Sequence, residues 1–137
     1  MALTHLLDTS VLKRLHEQAV RDIVESGLTG NTLGRPRICD LEVGYSARNA
    51  AEWDRLQQAL EALTVIETTV DHVRRALQVQ RLLADRSQRG RKIPDLLVAA
   101  AAEEHGLVVL HYDADFDMIA GATGQRCEWI VTAGSID

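Results

Sequence analysis

The fold is decided by residues 93–113, which read IPDLLVAAAAEEHGLVVLHYD. Pro94 is suited to the first turn of a helix, and the apolar run after it extends that helix to about His105. Gly106 is a typical helix stop, and residues 107–110 form an apolar run typical of a fully buried strand. Helices that alternate with such strands predict a parallel sheet covered by helices on both faces.

The same alternation extends over the rest of the chain. The predicted strands are residues 3–7, 37–39, 64–66, 107–110 and 129–131. One predicted helix follows the N-cap residues Asp8-Thr9-Ser10, and another begins at Asp40. Further helices are predicted over residues 16–26, 50–63, 70–87, 93–105 and 115–119. Gly27 is a predicted helix stop, and residues 30–36 are a predicted loop. The sequence therefore predicts the α/β class, as a three-layer α/β/α sandwich with a central, mainly parallel sheet.

Length and composition predict one ordered domain, residues 1–137. The mass of 15.1 kDa, 46% hydrophobic residues and 26% charged residues are ordinary for a globular protein. The longest apolar run, residues 96–102, is too short to span a bilayer, and the N-terminus lacks an export signal. Cys39 and Cys127 have no metal-type spacing and fit free thiols in a reducing cytosol. We therefore expect a cytoplasmic protein with no membrane partner.

Acidic residues stand at the ends of four apolar segments. They are Asp8, Glu42, Asp95 and Asp113. Each alone is also explained as an acidic residue that stabilises a helix N-terminus. That explanation does not account for all four at one edge of a parallel sheet, where ligands bind beyond the carboxyl ends of the strands. Carboxylates gathered in this way usually hold hard divalent cations, and oxygen-only ligands suit Mg²⁺ or Mn²⁺ better than Zn²⁺.

The short strings around these acids resemble the signatures of a known family. Leu6-Leu7-Asp8-Thr9-Ser10, Asp40-Leu41-Glu42-Val43, Ile93-Pro94-Asp95 and Asp113-Ala114-Asp115-Phe116 follow one another as in the PIN-domain ribonucleases. Within that superfamily, the chain resembles the VapC-type toxins of bacterial toxin–antitoxin pairs over essentially its whole length. The resemblance implies a PIN-like fold and a Mg²⁺-dependent endoribonuclease, in which Mn²⁺ can substitute.

The resemblance also assigns roles to individual residues. Asp8, Glu42, Asp95 and Asp113 match the catalytic acidic quartet that binds metal, and Asp115 matches an acid that often completes a second metal site. Ser10, or with less support Thr9, matches a hydroxyl that orients a carboxylate or a metal-bound water. His111 and Tyr112 depart from the family, which commonly has Thr and then Asn or Arg there. We also expect like charges in the metal-free cluster to raise one another's pKa values.

Basic residues precede Asp95 and suggest where a polyanionic substrate would bind. The formal net charge of −5 gives no general attraction to nucleic acid, but metal ions would neutralise part of the acidic excess. Arg89, Arg91 and Lys92 are candidates for contacts with RNA phosphates, and a solvated helix end is an equal alternative. Lys13 and Arg14 are weaker candidates. With two Trp, two Tyr and one Phe for stacking, recognition of a structured RNA such as tRNA or rRNA by shape is favoured.

Partners are implied by the resemblance alone. Such toxins inhibit translation, are neutralised by a VapB-type antitoxin, and tend to form homodimers and toxin–antitoxin hetero-oligomers. An exposed apolar side of the second and third helices would suit the antitoxin, and packing of these residues on one another is an equal alternative. The residues concerned are Val20, Ile23, Val24, Trp53 and Leu56.

Two other functions compete with this interpretation. A phosphoacceptor receiver domain needs a lysine at the end of a late strand, and neither lysine, Lys13 or Lys92, follows such a strand. A catalytically silent PIN-like module that binds proteins would be expected to lack one of the four acids, yet all four are present. The five histidines are scattered, and a structural role is favoured for each of them: His5, His16, His72, His105 and His111.

Overall fold

A computed structural model of the chain describes residues 2–88 and 90–137. Within these residues, five strands form one parallel sheet in the order β3-β2-β1-β4-β5. The strands are β1 (His5–Leu7), β2 (Leu33–Pro36), β3 (Thr64–Ile66), β4 (Val108–His111) and β5 (Cys127–Trp129). The helices are α1 (Thr9–Leu12), α2 (Gln18–Thr29), α3 (Arg37–Tyr45), α4 (Ala50–Leu60), α5 (Val70–Asp85), α6 (Ile93–His105) and α7 (Asp115–Thr123).

The two central strands show why the molecule has three layers. Successive side chains of a strand point to opposite faces of the sheet. Leu6 and Val109 pack with α3, α5, α6 and α7 on one face, whereas Leu7 and Leu110 pack with α1 and α2 on the other. Both faces are therefore buried, which confirms the predicted α/β/α sandwich.

Several helix and strand ends are set by local residues that can be recognised in the sequence. The helix over residues 93–105 and the strand over 64–66 are confirmed. Gly106 adopts the left-handed conformation, with φ of 66°, which ends α6 as expected. Asp8 caps α1, because its side chain accepts a hydrogen bond from the Ser10 N–H at 3.0 Å.

The second strand lies elsewhere than predicted. Residues 33–36, predicted as a loop, form β2, and residues 37–39, predicted as a strand, are the first turn of α3. Gly34 is needed in β2, because a Cβ there would lie 3.0 Å from the Leu3 side chain and 3.2 Å from the Thr64 carbonyl. Asp40 consequently lies inside α3 and does not cap it.

Other element ends also differ from the predictions. Helix α2 continues through Gly27 to Thr29, since the missing side chain leaves room for Leu33 of β2. Helix α7 continues to Thr123, four residues beyond the predicted end. The last strand is Cys127–Trp129, so only Trp129 of the predicted 129–131 strand belongs to it.

The predicted antitoxin surface is only partly exposed. Val20 and Val24 are buried against the sheet, packed with Leu7 and Leu110, and cannot contact a partner. Ile23 and Trp53 are exposed. The five residues therefore do not form one continuous apolar face, because α2 turns its valines inward.

The connections of the sheet create a crevice beside β1. From β1 the chain moves outward through β2 to β3, then returns to the other side of β1 to form β4 and β5. Ligands of open parallel sheets bind where the strand order reverses, beyond the carboxyl ends of the two strands concerned. Here those strands are β1 and β4, which are followed by Asp8 and Asp113.

Two further features concern thiols and membranes. Cys39 is a buried free thiol, whereas Cys127 is free but only partly buried. Among the helices that the structure describes, none combines the length and the apolar character needed to cross a membrane.

Candidate functional site

The four acids predicted from the sequence line one cleft at the carboxyl edge of the sheet. This cleft has a volume of about 620 Å³. Its lining residues are Asp8, Thr9, Ser10, Lys13, Arg14, Glu42, Lys92, Asp95, Tyr112, Asp113, Ala114, Trp129, Gly134, Ile136 and Asp137. The fold thus brings together carboxylates that are up to 105 positions apart in the chain (113 minus 8).

Asp8 and Asp95 are the most deeply buried of the four. Each of these two residues is only 3% exposed. Asp8 directly follows β1, and Asp95 lies in the first turn of α6. Asp8 Oδ1 and Asp95 Oδ2 are buried and lack a hydrogen-bond partner among the described residues. Buried carboxylate oxygens without partners are costly, and a bound cation would satisfy them.

Asp113 is held in position by the residues around it. Its N–H donates to His111 Nδ1 at 3.1 Å, and its Oδ1 accepts from the Asp115 N–H at 3.0 Å. Burial lowers the pKa of His111, which favours the neutral ring, and the hydrogen bond from the Asp113 N–H requires Nδ1 to be the acceptor. His111 therefore supports the cluster, a contact that the scattered positions of the histidines did not reveal.

Glu42 is positioned by a hydroxyl of helix α1, next to Asp8 in the chain. Thr9 Oγ1 donates to Glu42 Oε1 at 2.7 Å, joining α1 to α3. The Ser10 hydroxyl, which the sequence favoured for this role, instead accepts the Tyr112 N–H at 2.9 Å. The structure corrects the order of preference, because Thr9 faces α3 whereas Ser10 faces the segment after β4.

The basic residues before Asp95 contact the carboxylates directly. Lys92 Nζ donates to Asp113 and lies 4.0 Å from Asp95 Oδ2, although 59% of the lysine side chain is exposed. Arg91 Nη1 donates to Asp115 Oδ1 at 2.7 Å, so this guanidinium is committed to a protein partner. Arg89 lies outside the described residues.

The charges of the cluster shift its pKa values in opposite directions. Burial, and then the charges of Asp8 and Asp113, raise the pKa of Asp95 to about 8. Burial also acts to raise the pKa of Asp113, but the hydrogen bonds from Lys92 and from the Asp115 N–H, together with the positive charge of Lys92, outweigh burial and lower the pKa. The increase in pKa that we predicted for the whole cluster is therefore found for Asp95. It is not found for Asp113, because Lys92 stabilises the charged form of that carboxylate. The same contact raises the pKa of Lys92.

Two groups of side chains in the cluster have ligand atoms close enough for metal binding. Asp95, Asp113 and Asp115 place one oxygen each within 4.8 Å of one another, and Asp8, Cys39 and Glu42 do the same with a thiol included. The Cys39 thiol donates to the Leu7 carbonyl at 3.7 Å, and burial raises its pKa, so it stays protonated. The available donors are thus carboxylate oxygens, which fit a hard divalent cation.

A third group of side chains has spacing suitable for a metal, but the ring nitrogens of its buried histidine, His72, are occupied by hydrogen bonds within the protein. His72, Glu104 and His105 lie together near the other end of α6. His72 Nδ1 accepts the Thr69 N–H at 3.2 Å, so Nε2 carries a proton and donates to Glu104 at 2.9 Å. With both ring nitrogens engaged, His72 has no lone pair for a metal.

The raised pKa of Asp95 predicts pH-dependent metal binding. Below about pH 8 a proton on Asp95 must leave when a cation binds, so affinity for Mn²⁺ should rise with pH by up to about tenfold per unit and level off above that pH. Because Lys92 acts to lower the pKa of Asp95, Lys92→Gln should move this midpoint upward. Isothermal titration calorimetry between about pH 6 and about pH 9 measures both. An affinity that does not change over this range would contradict the proton displacement.

The structure adds residues to the cleft that the sequence did not identify. Tyr112, Trp129 and Ile136 line it and come from the segments after β4, at the end of β5 and beyond it. Ligands bind beyond the carboxyl ends of parallel strands, and this rule identified Asp8 and Asp113. Trp129 is the last residue of β5, so the same rule identifies it once the limits of β5 are known. No sequence signal marks Ile136.

Comparisons with known proteins agree with this architecture. A family model described as the PIN domain matches residues 5–122. The chain is 67% identical to ribonuclease VapC51 of Mycobacterium tuberculosis over 137 residues, with both chains fully covered. It is 41% identical to ribonuclease VapC21 of the same species, over 98% of this chain and 99% of that protein. A DNA-bound VapBC structure from Salmonella typhimurium has a TM-score of 0.76 at 19% identity, covering 94% of this chain and 99% of that chain.

Proposed function

The chain belongs to the PIN-domain family and, within it, to the VapC-type proteins, and from this premise we propose that it is a metal-dependent endoribonuclease toxin. Asp8, Glu42, Asp95 and Asp113 are its catalytic and metal-binding residues in this proposal. Residues 1–137 act as a single ribonuclease domain. The relatives named ribonuclease match along nearly their whole length, which supports the transfer of activity.

The observation that carries the proposal is the pair of buried carboxylate oxygens without partners. Asp8 Oδ1 and Asp95 Oδ2 lie in the cleft beside the switch between β1 and β4. In the proposal a divalent cation satisfies them, and Mg²⁺ is the natural choice, with Mn²⁺ as a substitute, because the donors are oxygens. Asp115 would serve a second cation only after Arg91 releases it.

In the proposed mechanism the cation supplies the charge needed for hydrolysis, and the side chains of the cleft hold the cation and bind the RNA phosphate. When bound, the metal lowers the pKa of a coordinated water and neutralises charge on the scissile phosphodiester. Asp8 and Asp95 hold the cation, and Thr9 fixes the orientation of Glu42 beside them. Lys92, which contacts Asp113 and has a largely exposed side chain, would bind a non-bridging phosphate oxygen of the RNA. His111 keeps Asp113 aligned throughout.

Partners and location complete the proposal. VapBC complexes with the same fold support a VapB-type antitoxin as the partner. In the proposal this antitoxin neutralises the chain in a toxin–antitoxin hetero-oligomer built on a homodimer. In the proposal the chain inhibits translation by cleaving a structured RNA, tRNA or rRNA. These RNAs are in the cytoplasm, so the proposed location of the protein is the cytoplasm. Arg91 is a weaker phosphate ligand than Lys92, since Asp115 binds its guanidinium.

A brief pulse of expression tests the proposed function. We expect growth arrest within minutes and new RNA 5′ ends concentrated at one or a few sites of a stable RNA, mapped by end sequencing. Co-expression of a cognate VapB-type antitoxin should remove both effects. An unchanged RNA-end profile, with the protein folded and present in excess of any antitoxin, would contradict the proposal.

A further inference from the structure

The cleft is lined by two chemically different sets of residues. One set is the carboxylates with Lys92, and the other is Tyr112, Trp129 and Ile136, here named the aromatic wall. A metal-bound phosphate explains the first set but leaves the second without a role. Both sets line one cleft of about 620 Å³, which is within the size range of sites that enclose a small ligand.

The aromatic wall is fixed in place before any ligand binds. The Tyr112 hydroxyl accepts the N–H groups of Gly134 at 3.0 Å and Ile136 at 3.2 Å, and it donates to the Ile136 carbonyl at 2.7 Å. The Tyr112 and Trp129 rings meet edge to face, with centroids 5.3 Å apart and planes at 89°. Trp129 Nε1 also donates to Asp117 Oδ1 at 3.1 Å. A surface with its rotamers locked in this way binds without an ordering cost.

Arg14 adds a positive charge to the same wall. Its guanidinium carbon lies 4.8 Å from the centroid of the Tyr112 ring, and its Nη1 donates to the Ser10 carbonyl at 2.8 Å. Tyr112 is buried and serves as the support, whereas Trp129 is only half-buried and Arg14 lines the cleft. An indole and a guanidinium that line one cleft are suited to a planar, electron-rich ring next to a phosphate.

We propose that the aromatic wall is a subsite for one unpaired nucleobase of the RNA, adjacent to the phosphate held beside the carboxylates. The inference rests on the proposed function and deepens it, since Trp129 becomes a residue that determines which base flanks the cut. Recognition then combines an unpaired base at this wall with the shape of the surrounding RNA. Stacking on Trp129 selects by the area and the exocyclic groups of the base.

The two tryptophans of the chain allow a direct test. Trp53→Phe leaves Trp129 as the only tryptophan, and Trp129→Phe leaves exposed Trp53 as a matched control. Each protein is titrated, in EDTA to prevent cleavage, with single-stranded decamers of oligo(A), oligo(U) or oligo(C) that carry a fluorescent end label for anisotropy. We expect at least one decamer to quench the Trp129 emission by about half and to leave the Trp53 emission unchanged.

Three results would overturn the subsite. One is RNA binding seen by anisotropy with no change in the Trp129 emission, and another is an equal change in both proteins. The third is failure of all three decamers to bind, both in EDTA and with Ca²⁺ added to occupy the carboxylates. These results leave the proposed function intact whenever the wild-type chain cleaves RNA, because cleavage is assayed separately with metal present.

Kinetics provide a second readout that does not depend on fluorescence. Trp129→Leu should raise the KM for RNA about tenfold, change kcat less, and broaden the base preference at the cut site, whereas Trp129→Phe should retain most of the preference. Thermal unfolding checks that each variant is folded. If Trp129→Leu is unfolded, Arg14→Gln replaces it with the same expected increase in KM. An unchanged KM and cut-site preference in a folded variant would overturn the inference.

Discussion

Asp8→Asn and Asp95→Asn are each expected to lower RNA cleavage by more than about a hundredfold while the protein remains folded. Residues that only support a metal ligand are worth about 10- to 100-fold in activity or metal affinity, so loss of a ligand should cost more. Asn at position 8 keeps the cap of α1, since its side-chain oxygen can still accept the Ser10 N–H. Cleavage of a labelled RNA at saturating Mg²⁺ provides the measurement.

Stability should change in the opposite direction from activity. Burial, and then the charges of Asp8 and Asp113, raise the pKa of Asp95, so an uncharged amide at position 8 or 95 removes an unfavourable interaction from the metal-free protein. We expect melting temperatures without metal to be equal to or above that of the wild type, and the stabilisation by Mg²⁺ to disappear. Glu104→Gln, in the His72 group, is the matched control and should cleave normally. Full activity in either Asn variant would place the catalytic site elsewhere.

Asp40→Ala should be the most destabilising change outside the cleft, lowering the free energy of unfolding by about 3–5 kcal/mol. Asp40 accepts from Arg35 Nε at 2.8 Å and from Arg37 Nη1 at 2.8 Å, and both Arg35 and Asp40 have side chains only 8% exposed. Arg35 also donates to the carbonyls of Leu60 and Leu63 after α4. Removal of Asp40 would leave a buried guanidinium without its counter-charge. Urea unfolding measures the change.

Two further variants show whether burial is the cause. Arg75→Ala breaks the partly exposed pair with Glu103 and should cost no more than about 1 kcal/mol. Replacing both partners, as Arg35→Met with Asp40→Leu, should recover much of the stability lost by Asp40→Ala, because no uncompensated charge remains. Equal losses for Asp40→Ala and Arg75→Ala would show that the Arg35–Asp40 pair is not effectively buried.

The same buried pair explains where sequence reasoning about the fold failed. A strand that reads Leu33-Gly34-Arg35-Pro36 has neither apolar alternation nor β-branched residues. It is a strand because it pairs with β1 and β3, and because Arg35 finds Asp40 and two carbonyls inside the protein. Apart from Asp40, these partners are distant in sequence, so tertiary contacts override local propensity. In contrast, Pro94 and Gly106 determine the ends of α6 locally, and that helix is predictable.

The site was predictable to the level of backbone position. Asp8 and Asp113 follow strands, and the rule for carboxyl ends of parallel strands was sufficient to bring them together. Side-chain direction was not predictable: adjacent residues of a helix point about 100° apart, so Thr9 reaches Glu42 and Ser10 does not. The contacts of Lys92 with Asp113 and of Arg91 with Asp115 likewise depend on rotamers that no local sequence signal specifies.

The central claim is that the acidic cleft cleaves RNA only with a divalent cation bound. The most direct measurement uses the purified chain, freed of metal and antitoxin, on RNA prepared from the cell in which the expression pulse is made. We predict no specific cleavage in EDTA, restoration by Mg²⁺ or Mn²⁺ at the sites found in the pulse experiment, and no restoration in Asp8→Asn. Specific cleavage that persists unchanged in EDTA would contradict the account.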